Sequence, residues 1–228
     1  MSPTSATLLK TTLSVFDNLT ALLYPRYCPA CLVEMPNGEG WICEDCWLNQ
    51  PFGKRITFPA HSSLDNKVTT AFAYTVEFRR LIHMMKFHAR TDIARILGVR
   101  AAKRFIDLRQ SLIFDAVVPV PLHPVRIRER GYDQNYTLAE AISKFLNVAL
   151  ADRLILRVRN TPAQARLSNE ERIRNLDAAF APASNINKVP NSVLLIDDVI
   201  HTGTTAANCI DVMKAAGVKH FHVLACCG

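Results

Sequence analysis

Two adjacent carboxylates, Asp197 and Asp198, close the apolar run VLLI and are followed four residues later by Thr202, Gly203, Thr204 and Thr205. A strand that ends in a tight loop and opens a helix turns backbone N–H groups outward. The helix dipole adds positive potential there, so such a loop suits an anion. Gly203 lets a ligand approach the backbone closely, and the threonine hydroxyls add donors. The loop is neither a Walker A sequence nor a dinucleotide GxGxxG fingerprint, since both patterns are absent. A phosphate held without a triphosphate-gripping lysine suggests a phosphomonoester. Ionised carboxylates at the carboxyl end of a strand accept hydrogen bonds well from sugar hydroxyls. Successive strand residues point to opposite faces, so joint chelation of a metal by the two acids is not automatic. A polar strand end before an N-capped helix is the plainer alternative.

A second set of residues carries different chemistry. Cys28, Cys31, Cys43 and Cys46 read C-x2-C, eleven residues, C-x2-C within YPRYCPACLVEMPNGEGWICEDCW. Two such knuckles present four thiolates that close a tetrahedral site with no open position, which predicts a structural Zn2+. The segment is rich in turn residues and poor in apolar ones, so a metal must supply its stability. Trp41 and Trp47 flank the second pair and can cover the site. Neither pair follows a strand and opens a helix, so a redox role fits poorly. The other cysteines, Cys209, Cys226 and Cys227, lie far away, and an odd total of seven argues against a disulfide framework.

A third constellation is cationic. In VVPVPLHPVRIRERGYDQNYTLAE, Arg126, Arg128 and Arg130 alternate, and alternation on an extended segment puts all three on one side, facing a polyanion. RVRNTPAQARLSNEERIRNLDAAF adds Arg157, Arg159, Arg166, Arg172 and Arg174. That polar stretch reads as a hood over the strand ends that would exclude water from a reactive ester. It reads equally as a nucleic-acid groove. The net charge of +7 and pI near 9.2 suit a polyanionic ligand but are also those of an ordinary solubilising surface.

The elements that must position these residues follow from pattern and length. The chain has 228 residues, room for one α/β domain and a smaller module. Residues 1–24 read as an amphipathic helix, 25–60 as the four-cysteine zinc ribbon and 65–228 as the larger domain. Strands are expected at 68–75, 114–121, 153–158, 192–198 and 219–225. Helices are expected at 78–106 with a break near 88–91, at 134–147, at 168–176 with Ser168 as N-cap, and at 204–216. Strand, helix and strand at the C-terminal end make a βαβ unit and predict a parallel sheet. No apolar run approaches the ~20 residues of a membrane span. The first residues lack the basic and apolar regions of a signal peptide, which points to the cytoplasm. Nothing in the residues specifies an oligomeric state.

IDDVIHTGTT resembles the phosphoribosyl-pyrophosphate (PRPP) binding motif of type I phosphoribosyltransferases. The order of motifs, from the four cysteines through VPVPLHP, RERGYDQ and RxRxTPxQxxLSxxER to IDDVxxTGxT, is similar to that of the ComF/GntX family across residues 20–225. The resemblance implies a parallel-sheet type I phosphoribosyltransferase-like domain preceded by a small four-cysteine zinc ribbon. It implies that Asp197 and Asp198 hold ribose hydroxyls and that Thr202, Gly203, Thr204 and Thr205 cradle the 5-phosphate of PRPP, bound with Mg2+. The pyrophosphate is then expected near Val120, Pro121, Leu122 and His123, with Arg128, Arg130 and Lys86. Arg130 and Arg166 become the candidates for stabilising charge on the leaving pyrophosphate. Lys86 reads equally well as a snorkelling helix lysine. The chain departs from many relatives at Asp133, where they have asparagine, and at His201, where they have threonine. The family associations imply DNA uptake, use of DNA as a nutrient, gluconate utilisation or nucleotide salvage. PRPP or another nucleotide, single-stranded DNA and a DNA-uptake helicase are the partners they bring. A PRPP-dependent transferase, a non-catalytic single-stranded DNA binder and a PRPP or nucleotide sensor therefore stand as rival readings.

Overall fold

The run VLLI lies in strand β6 (Ser192–Val199), buried at six consecutive positions. Burial on both faces requires a sheet covered on each side, as crossover helices do for parallel strands. In this computed structural model, which describes residues 26–35, 42–53, 64, 67–108, 113–160, 179–184 and 188–228, four strands join β6: β1 (Val68–Phe72), β2 (Ala116–Pro119), β3 (Ala149–Leu150) and β7 (His220–Cys227). All pairings in this five-stranded sheet are parallel, in the order β1-β7-β6-β2-β3. Strands β4 (Ile155–Arg157) and β5 (Phe180–Pro182) form a separate antiparallel pair. The expected helices at 1–24 and 168–176, together with Trp41, Arg166, Arg172 and Arg174, lie outside the described residues.

Helices α2 (Val76–Phe87) and α3 (Thr91–Leu108) link β1 to β2, and the break between them falls where periodicity placed it. Helix α5 (Gln134–Leu146) links β2 to β3, and α6 (Thr204–Ala215) links β6 to β7. Val193 and Leu195 of β6 join a cluster with Val118, Val223 and, from α6, Ile210 and Met213. Leu194 and Ile196 alternate to the opposite face, where α3 and α5 pack. Neighbouring strands β2 and β6 thus send their following helices to opposite faces, and that divergence opens a crevice at their carboxyl ends. Helices α3 and α5 approach so closely that a Cβ on Gly98 would lie 2.8 Å from both Leu138 O and Ala141 Cβ.

The arginine stretch differs from its expected extended form. Residues Pro124–Arg130 are helix α4. His123 caps it by accepting the Val125 N–H at Nδ1 (3.3 Å), Pro124 stands in the first turn, and Gly131 ends it in the left-handed region at φ 79°. These local signals outweigh the alternation of charge. On a helix, Arg126 and Arg130 share a face and Arg128 points away from them.

A boundary between Gln50 and Pro51 separates two compact units. In the first, Tyr27 and Glu34 form an antiparallel bridge around the first cysteine knuckle, and the second knuckle opens the short helix α1 (Glu44–Leu48). In the second, residues 51–53 run along β1. Phe52 bridges Phe72, and the Arg104 guanidinium lies over both rings while donating to Pro51 O and Ala71 O.

Candidate functional site

Both acids of the IDD sequence are buried, at the carboxyl end of β6. Their side chains are held by groups from two other elements of the second unit, the end of α2 and the start of α5. Lys86, in the last turn of α2, places Nζ 2.9 Å from Asp198 Oδ1. Gln134 Nε2, from the first turn of α5, donates to Asp198 Oδ2 at 2.9 Å. Asn135 Nδ2 donates to Val120 O (3.0 Å), at the end of β2, and to Asp197 Oδ1 (3.4 Å). The Asp198 N–H also donates to Asp197 Oδ1, at 2.9 Å. Asp133 starts α5 by accepting the Tyr136 N–H at 3.0 Å. Aspartate and asparagine cap equally well, so this departure preserves the helix start. The Tyr132 hydroxyl donates to Met85 O, tying the same segment to the end of α2.

The electrostatics follow from this packing. Burial, and after it the neighbouring Asp198 carboxylate, push the Asp197 carboxyl up to about 7, against the opposing pull of Lys86. Burial, the largest single influence, would lower the Lys86 ammonium, but the charge and hydrogen bond of Asp198 together with the charge of Asp197 hold it above its ordinary value. Two buried acceptors, Gln134 Oε1 and Asn135 Oδ1, have no hydrogen-bond partner among the described residues. Buried acceptors in native proteins are nearly always satisfied, so these suit a ligand or water that donates hydrogen bonds.

Beside the acids, β6 passes into the threonine loop. Gly203, at φ 72°, occupies a backbone region that a β-carbon disfavours, and from there the chain enters α6. Thr202 and Thr204 hydroxyls meet at 2.9 Å. Asp197, His201, Thr202, Gly203, Thr204 and Thr205 line a recess of about 50 Å³, several times the ~10–15 Å³ that one water needs. His201 is exposed and stands edge-on to Tyr74 at 5.3 Å.

The remaining candidates separate. Val120 and Pro121 are buried, with the Val120 N–H donating to Ile196 O at 2.8 Å, and His123 is committed to capping α4. Leu122 is half-buried beside them. Arg130 is half-buried, with its guanidinium 5.6 Å from the Phe87 ring and Nη1 without a partner among the described residues. Arg128 is exposed on the far side of α4. Sequence reasoning missed Gln134 and Asn135 as members of the cluster. The available signal was two amides placed four residues before Leu138 and Ala139, on the buried face of an amphipathic helix.

A divalent cation finds little here. Lys86 and Gln134 take both oxygens of Asp198, and Asp197 Oδ1 is shared by Asp198 N–H and Asn135. Mg2+ demands six oxygen ligands at about 2.0–2.1 Å. The acid pair does not fit as a direct magnesium site, and only the ligand's own phosphates and water could complete one.

In the first unit, the Sγ atoms of Cys28, Cys31, Cys43 and Cys46 all lie within 4.8 Å of one another, so the group could hold a metal ion. Cys31 Sγ and Cys43 Sγ are 3.7 Å apart. Sulfurs bound tetrahedrally at about 2.3 Å would be separated by about 3.8 Å, so the donor set fits a tetrahedral metal. Burial pushes Cys28 up, but surrounding backbone N–H groups, including that of Cys43 at 3.4 Å, bring it down to about 7. Burial pushes Cys43 and Cys46 up. Thiols this close do not all ionise without a cation to neutralise them.

The fold and these groups define an α/β protein with a parallel sheet, two acids and a threonine loop at its carboxyl end, and a separate four-cysteine cluster. The chain is 30% identical over 204 residues to competence protein F of Haemophilus influenzae, covering 86% of this chain and 82% of that protein. It is 31% identical over 207 residues to the DNA utilization protein YhgH of Salmonella typhi, covering 88% and 83%. The chain therefore belongs to the family of competence protein F and DNA utilization protein YhgH. Competence protein ComFC of Bacillus subtilis is 25% identical over 86% of this chain and 77% of its own. No protein-family model matches. Among solved structures, the glutamine PRPP amidotransferase of B. subtilis aligns at a TM-score of 0.42 and 15% identity, over 63% of this chain and 30% of its own. The adenine phosphoribosyltransferase of Saccharomyces cerevisiae aligns at 0.38 and 12%, over 61% and 72%. Among the described residues, no helix is long and apolar enough to cross a membrane.

Proposed function

We propose that the second unit binds PRPP, or another ligand carrying ribose 5-phosphate, and transfers its phosphoribosyl group or releases its pyrophosphate. The observation that carries this reading is the recess at the end of β6, which sets a buried carboxylate beside a glycine-opened threonine loop at a helix N-terminus. In this reading Asp197 and Asp198 serve the ribose hydroxyls, Asp197 directly. The loop from Thr202 to Thr205 receives the 5-phosphate on backbone N–H groups and hydroxyls. The unsatisfied Gln134 and Asn135 oxygens can accept from sugar hydroxyls or a bridging water. The residues Val120, Pro121, Leu122 and His123, with Arg130, border the place of the pyrophosphate. Transfer breaks the bond between the anomeric carbon and pyrophosphate and forms one to an incoming nucleophile. Arginine charge lowers the barrier by stabilising the departing anion. Magnesium bound to the pyrophosphate would add to that stabilisation. In the first unit, Zn2+ on the four cysteines is structural.

Calorimetric titration with PRPP and Mg2+, beside an Asp197→Asn/Asp198→Asn variant, tests the reading. Binding by the parent and not by the variant is expected, and no binding by the parent would sink it. Pyrophosphate release with a panel of nucleobases and amines separates a transferase from a sensor. The names of the relatives favour a second reading, in which the arginines serve single-stranded DNA in a DNA-uptake or DNA-utilisation setting. That reading predicts a marked loss of DNA affinity as salt is raised.

A further inference from the structure

Lys86 is 112 residues from Asp198 in sequence, yet its Nζ lies at hydrogen-bonding distance from Asp198 Oδ1, at the helix end where the dipole favours a cation. Gln134 takes the second oxygen of Asp198. Of the four carboxylate oxygens, only Asp197 Oδ2 has no hydrogen-bond partner among the described residues, and Asp197 is the acid that lines the recess. The two acids are therefore not equivalent.

We infer that Lys86 is the resident cation of the acid pair and, with Gln134, a positioning residue that neutralises Asp198 and leaves Asp197 as the acid that meets the ligand. The inference rests on the sugar-phosphate reading for the ligand's identity, though not for the place of the cation. An ammonium at 2.9 Å supplies the single positive charge that neutralises one of the two buried carboxylates, Asp198. It also takes the space beside Asp198 Oδ1 that a divalent ion would need. The chain thus builds its own counter-ion, and any divalent cation must arrive on the phosphates of the ligand.

The test needs no ligand. Zinc-loaded protein is titrated with Mn2+ and followed by electron paramagnetic resonance, for the parent, Lys86→Gln and Lys86→Gln/Asp198→Asn. Removing the ammonium should create a carboxylate site that binds Mn2+ at least about tenfold tighter than the parent does, and the second substitution should abolish the gain. Parent protein that binds Mn2+ as tightly as Lys86→Gln would overturn the inference. Amine-reactive labelling read by mass spectrometry covers a variant that fails to fold. In the parent, Lys86 should label about tenfold slower than Lys144, whose side chain is 73% exposed, and labelling at the Lys144 rate would also overturn it. Ribose 5-phosphate titrated into the same parent sample tests the sugar-phosphate reading separately. Its failure to bind would refute that reading and leave the Mn2+ and labelling results to decide the role of Lys86.

Discussion

Replacing Asp197 by asparagine should stabilise the ligand-free protein above neutral pH. Burial, then the adjacent Asp198, lifts this carboxyl from 3.8 to about 7. Between those values the folded chain holds a proton that the unfolded chain has lost. Stability falls with rising pH wherever the folded state binds more protons. The cost of Asp197 is therefore absent below about pH 4, grows up to about pH 7 and is complete above it. A shift of about three pH units at about 1.4 kcal/mol each sets a ceiling near 4 kcal/mol. Asp198 shares the repulsion and the asparagine NH2 must find room in the recess, so a gain of about 2 kcal/mol is expected at about pH 8. Urea unfolding of parent and variant, compared at each pH from about 5 to about 8, reads it directly. The difference should widen up to about pH 7 and level off above it. A difference that stays constant with pH, or a variant less stable than the parent at about pH 8, would refute the electrostatic reasoning. The same variant should bind PRPP poorly, so stability and ligand affinity should move in opposite directions.

Other perturbations follow from the packing. Gly98→Ala forces a Cβ to within 2.8 Å of Leu138 O, and overpacking of this kind costs about 1–3 kcal/mol, visible as a lower Tm. Gly203→Ala places a β-carbon at φ 72° and should cost about 1–2 kcal/mol in thermal unfolding while weakening phosphate affinity. Cys31→Ser should release the metal, read by elemental analysis as loss of one zinc per chain, and expose residues 26–50 to protease. Zinc retained in full by that variant would count against the four-thiolate site.

Strand β6, the threonine loop and α6 were legible because each is specified by neighbours in sequence: an apolar run, a glycine able to take φ 72°, and helix-forming residues after it. The four-cysteine site was legible for the same reason, since short C-x2-C spacings bring thiols together with little help from the rest of the chain. Helix α4 was equally local, written in His123, Pro124 and Gly131, but the alternating arginines suggested an extended strand that those signals overrule. What no local pattern contained was the ring of groups around the acids. Lys86 and Gln134 reach Asp198 across 112 and 64 residues, and Asn135 reaches Asp197 across 62. Their meeting depends on which helix end lies over which strand, and that is set by sheet order and by the divergence of β2 and β6. The sequence by itself therefore determined that two carboxylates would stand before a glycine-opened threonine turn at a helix N-terminus. Only the tertiary structure decided that a lysine neutralises one of them while burial pushes the other's carboxyl up to about 7.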